Sequence, residues 1–171
     1  MPLVFRKIEK AKWYKTDAVP WLAAEDLQAD ALADLSTKGN VLSVYFVDED
    51  DEEALDRLIA ALALNREFIT KLDYALFPED SLSDIAIRVT NEEGDTSDPV
   101  VNTWHRHLTE LSAEKIIHLA DLIRNARKER VLGKRVRAMV VNALVTKRVD
   151  RAKFRLGSDT IAELENAIRA G

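Results

Sequence analysis

"NVLSVYFVD", residues 40–48, decides the fold class. Seven positions from Val41 to Val47 are apolar except Ser43. A run this short and this apolar, rich in Val, Tyr and Phe, reads as a strand covered on both faces. The acids that follow it open a helix at about 51–64. Leu55, Leu58, Ile59 and Leu62 form its stripe, and Asp50 and Glu53 have capping-box spacing.

Further strands are expected on either side. "LVFRKI" at 3–8 and "DIAIRV" at 84–89 are short and β-branched, and "FITKLDYALF" at 68–77 puts Leu72, Tyr74 and Leu76 on one side. Between the first strand and the core strand, "VPWLAAEDLQADALADL" at 19–35 reads as helix. Pro20 suits its first turn, Ala24, Leu27, Ala31 and Leu35 its stripe, and Lys38-Gly39-Asn40 its stop.

Beyond the polar stretch 90–98 the pattern turns helical. Asp98 followed by Pro99 is an N-cap and first-turn signal, and Val101, Trp104, Leu108 and Leu111 then recur at helical spacing. Ser112 caps a helix with Ile116, Leu119, Ile123 and Ala126 on one face. Residues 134–148 form the next helix, and 158–168 the last, with Thr160 and Glu163 at capping-box spacing. The fold class is therefore α+β: a small mixed sheet flanked by helices over 1–97, then a C-terminal helical bundle over 98–171, packed together as one domain.

Composition narrows function less than fold. The chain has 171 residues, no cysteine and 47% hydrophobic residues. Disulfides, thiolate metal sites and cysteine nucleophiles are thereby excluded. No apolar run approaches a membrane span, and the N-terminus is too charged for a signal peptide, so the expected location is cytoplasmic. No phosphate-binding glycine loop, nucleophile elbow or HExxH motif occurs, and no cofactor is expected. The helical reading of 99–111 also separates His105 from His107 by about 160° around the axis, which prevents them from sharing a metal ion. His118 points away from its own helix's apolar stripe.

The acidic run 48–53 is the seat of an alternative reading, a metal-dependent enzyme using Asp48 and Asp51. Acids at a helix start are favourable without any ligand, and the run lacks the glycine of a calcium loop.

Charge is segregated along the chain. Residues 1–123 hold 12 Lys/Arg against 25 Asp/Glu, whereas 124–155 hold 12 against 2. Arg127, Arg130, Lys134 and Arg137 would line one face of a helix running through Gly133. They are the candidate partner-binding residues, facing phosphate or carboxylate on a nucleic acid or an acidic protein. Internal pairing with the acidic part of the chain competes with that reading. Val141 and Val145, on the second apolar side of this helix, are expected to lie under the last helix, with a homodimer or a larger assembly as the alternative. The expected function is a non-enzymatic binding or regulatory module.

Overall fold

A computed structural model describes residues 2–14, 26–49 and 51–170. The chain divides into two compact units. Unit 1 comprises 1–46, 73–92 and 106–130, and unit 2 comprises 47–72, 93–105 and 131–171.

The class is α+β, as expected, built on a six-stranded antiparallel sheet with a helical C-terminal part. Its strands are β1 (Pro2–Ile8), β2 (Leu42–Asp48), β3 (Leu72–Pro78), β4 (Arg88–Asn91), β5 (His105–Thr109) and β6 (Arg127–Val131). They lie in the order β4-β5-β2-β1-β3-β6, so β4 and β6 are the edges. Register aligns Phe5 with Leu76 and Thr90 with His107.

The helices of unit 1 are α2 (Asp80–Asp84), α4 (Ala113–Asn125) and 3-10 turns at Lys10–Trp13 and Ala29–Leu35. Ser112 caps α4 by accepting from the Lys115 N–H, and Leu119 and Ile123 on its stripe are fully buried. They join Val4, Ile8, Val44, Phe77 and Leu108 in one core with Trp13, Ala31 and Leu35. Only the second half of the helix expected over 19–35 can be compared: Ala29–Leu35 is 3-10, and residues 26–28 are not helical. Pro20, Trp21 and Ala24 lie outside the described residues. Gly39 and Asn40, at φ 64° and 59°, make a tight turn rather than a helix stop, with Lys38 and Val41 exchanging backbone hydrogen bonds.

Phe5 stacks on Tyr74 at 4.8 Å between centroids and meets the edge of Tyr45 at 6.5 Å. Burial pushes the Tyr45 hydroxyl up to about 12, against the pull of the Arg6 charge. The folded chain thus holds this proton more tightly than the unfolded chain, whose tyrosines titrate near pH ~10. The resulting stability is complete below pH ~10 and is lost as pH rises towards 12. Urea unfolding across the alkaline range is expected to show this decline, and Tyr45→Phe to flatten it.

Unit 2 contains α1 (Glu52–Leu64), α3 (Pro99–Trp104), α5 (Gly133–Val145), α6 (Ser158–Ala170) and a 3-10 turn at Arg151–Lys153. Helix α1 packs on α5, and α6 covers another side of α5. Leu58, Leu64, Val136, Val140 and Leu164 are buried there, whereas Val145 stays 58% exposed. The cap of α1 is Asp51, which accepts from the Ala54 N–H at 2.8 Å; Asp50 lies outside the described residues.

The turn before α3 is a buried polar knot. Thr96 donates its N–H and its hydroxyl to Asn102 Oδ1, both at 2.7 Å, and accepts from Asn102 Nδ2 through its carbonyl at 3.2 Å. Asp98 caps α3 as its sequence implies, accepting from Val100 N–H at 2.9 Å and Val101 N–H at 3.3 Å. The same carboxylate, 1% exposed, grips Arg57 of α1 through two bonds of 2.5 and 2.8 Å.

Candidate partner-binding surface

Two segments expected to be helical are strands. Helix α3 stops at Trp104, and His105–Thr109 pairs with β4. The β-branched residues Val100, Val101 and Thr103 favour helix weakly, and ladder pairing with Arg88–Asn91 overrides the helical periodicity beyond them. His105 and His107 therefore do not point apart as expected, because residues i and i+2 of a strand share a face. His105 is buried, and His107 is half-buried. Among the described residues, no group of three His, Cys, Asp or Glu side chains could hold a metal ion. His118 is exposed on α4, 3.9 Å from Glu114. Asp48 is exposed at the end of β2, and the Asp51 carboxylate is engaged as a cap.

The second correction concerns the basic segment. Residues 127–131 are edge strand β6, and a new helix starts at Gly133. Arg127, Arg130, Lys134 and Arg137 therefore do not share one helical face. Four consecutive charged side chains, Arg127 to Arg130, suit an edge strand, where they discourage pairing with another sheet. Arg127 pairs with Glu129 at 3.0 Å. Arg130 forms a fork on Asp73, with bonds of 2.7 and 2.8 Å, and Asp73, 5% exposed, also accepts from the Lys10 N–H. That hydrogen bond raises the Arg130 pKa. Lys128 turns its ammonium onto the carbonyls of Ile123, Arg124 and Ala126 at the end of α4, where burial, and then Lys10, lower its pKa.

Of the 12 cations between 124 and 155, nine form ion pairs. Folding thus mixes the charges that the chain segregates: unit 2 carries 12 Lys/Arg against 15 Asp/Glu. The acidic start of α1 pairs with α5 through Arg135–Asp56 at 3.4 Å and with the turn after α5 through Arg148–Glu53 at 2.7 Å. Arg137 pairs with Glu163 of α6 at 2.8 Å, and both Lys153 and Arg155 reach Asp95.

The N-terminal turn of α5 stands apart. The positive end of a helix dipole favours acids, and α1, α4 and α6 carry them in their first turns. Helix α5 has none, no side-chain cap on Leu132, and instead Lys134 and Arg135. Lys134 is exposed and makes no ion pair among the described residues. Arg135, 66% exposed, and Arg137, 42% exposed, hold partners that are themselves exposed. Such pairs contribute about 0–1 kcal/mol and exchange readily. Leu132, at the cap, is 66% exposed. Thr70 lies 3.5 Å from where a Cβ on Gly133 would stand, and Phe68 of the same loop is 60% exposed. Cations, free helix N–H groups and two exposed apolar side chains thus occur together. Arg135 was one cation among many in the sequence; only the position of the helix start distinguishes it.

No protein-family model, curated protein or solved structure matches the chain. Among the described residues, no helix is long and apolar enough to cross a membrane.

Proposed function

We propose that the chain is a non-enzymatic binding module that takes an acidic segment of a protein partner at the N-terminal turn of α5. Lys134 and Arg137 carry over from the sequence reading, and Arg135 joins them. Arg130 is committed to Asp73 and leaves the set, and Arg127 belongs to the edge strand. The observation that carries the reading is the charge pattern of one turn: uncapped, without acids, and with Lys134 and Arg135 at the positive pole. A carboxylate there would meet both the cations and the free N–H groups. Exposed Leu132 and Phe68 favour a protein segment that alternates acidic and apolar residues, because a phosphate backbone gives aliphatic leucine nothing to cover.

Fluorescence anisotropy with a labelled peptide of alternating Glu and Leu residues tests this. Binding at low salt is expected, falling as salt rises. Lys134→Glu combined with Arg135→Glu is expected to weaken it about tenfold or more. Equal binding by this variant, or no binding at low salt, removes the site. Binding of a generic duplex DNA in place of the peptide would shift the reading to nucleic acid.

A further inference from the structure

Unit 1 holds a second site of a different kind. A polar cleft of about 390 Å³ opens beside β1, lined by Arg6, Lys7, Ile8, Glu9, Ala33 and Asp34. Its volume suits a small molecule. Arg6 donates through Nη1 to the Ser43 carbonyl at 2.7 Å and through Nη2 to the Asp34 carbonyl. Both acceptors are neutral. Its Nε is buried without a partner among the described residues. The guanidinium is thus held by peptide dipoles rather than by a facing carboxylate. Burial lowers the Arg6 pKa, opposed by the charge of Asp34 and by Tyr45, as expected for a cation short of counter-charge.

Asp34 is the opposite case. Its Oδ2 accepts from the Glu9 N–H at 2.7 Å and from the Trp13 indole N–H at 2.8 Å. Both donors are neutral, and among the described residues the ammonium paired with this carboxylate, Lys12 Nζ, stands 3.9 Å from Oδ1. The Asp34 side chain is only 13% exposed. Of the four charged residues in the lining, Lys7 and Glu9 are exposed, and the half-buried two are one cation, Arg6, and one anion, Asp34, each satisfied mainly by neutral groups. Arg6 bonds the backbone oxygen of Asp34 and leaves its carboxylate to others.

We infer that this cleft binds a small zwitterion of the α-amino-acid class, its carboxylate on the Arg6 guanidinium and its ammonium on the Asp34 carboxylate. A dianion such as phosphate would be repelled by Asp34 and Glu9, and a simple cation by Arg6. A ligand that carries both charges on one carbon matches the half-buried Arg6 and Asp34. The guanidinium fork is shaped for a carboxylate.

The Trp13 indole N–H, bonded to Asp34, reports on the cleft. In ¹H–¹⁵N spectra of the full chain its resonance is assigned by its loss in Trp13→Phe. Titration with each standard free L-amino acid, at constant ionic strength, is expected to shift it saturably with at least one. Acetate and methylammonium, each carrying one charge, are expected to leave it in place at the same concentration. Arg6→Gln is expected to weaken the amino acid by about tenfold or more. Arg6→Lys keeps the charge and the fold but loses the fork, and is expected to weaken it as well. No response to any amino acid, an equal response to acetate alone, or unchanged affinity in Arg6→Lys would each overturn the inference.

Discussion

Asp98→Ala is expected to lower the unfolding free energy by about 3–5 kcal/mol. The Asp98 carboxylate is 1% exposed and serves two masters, the first turn of α3 and the Arg57 guanidinium. Truncation removes the cap and leaves Arg57, itself only 22% exposed, without its anion. Asp98→Asn keeps an acceptor for the N–H groups of Val100 and Val101, so its loss should be smaller. Pairing Asp98→Ala with Arg57→Leu should recover part of the loss, since removing both partners of a buried pair costs less than orphaning one. Urea midpoints at an unchanged slope are the measurement. A loss under ~1 kcal/mol for Asp98→Ala would mean that the pair does not form in solution.

Asn102→Ala is expected to cost roughly 2–4 kcal/mol. Asn102 is 3% exposed, and its amide satisfies three groups of Thr96: the N–H, the hydroxyl and the carbonyl. Alanine leaves the N–H and the carbonyl buried without that partner, while the hydroxyl keeps its bonds with the Asp98 backbone at 3.2 Å. Hydrogen exchange gives a local readout, because the Thr96 N–H should lose protection in this variant well before the unit unfolds. Thr96→Val removes the hydroxyl alone. Combined with Asn102→Ala it should cost less than the two single changes together, since both act on one network. Strict additivity would show that the knot is not a unit.

Thr96 and Asp98 belong to the stretch 90–98 that reads as a polar loop, and Asn102 to the helix expected after it. Asp98-Pro99 was legible as a cap because capping chemistry is local. The Arg57 grip on that cap was not, because it joins positions 41 apart in sequence. The same division runs through the whole chain. Strand β2, helix α1 and the Ser112 cap follow from neighbours within one element. Strands β5 and β6, "HRHLT" and "RKERV", carry too few apolar side chains to declare a period of two. Their conformation comes from the strands that they join. The candidate surface was legible in part: the density of cations is plain in the sequence. Which of them face acids is set by pairs such as Arg135–Asp56, 79 positions apart. The Arg6 cleft left no local sign, because strand β1 and the Ala29–Leu35 turn build it jointly.

The interleaving of the units along the chain bears on synthesis. Helix α1 is complete at residue 64, but α5, on which it packs, begins only at 133. A nascent polypeptide therefore carries the greasy flank of α1 uncovered while some seventy further residues are polymerised. For that interval apolar surface stays open to water, and a product truncated before the α5 codons is expected to be prone to clumping.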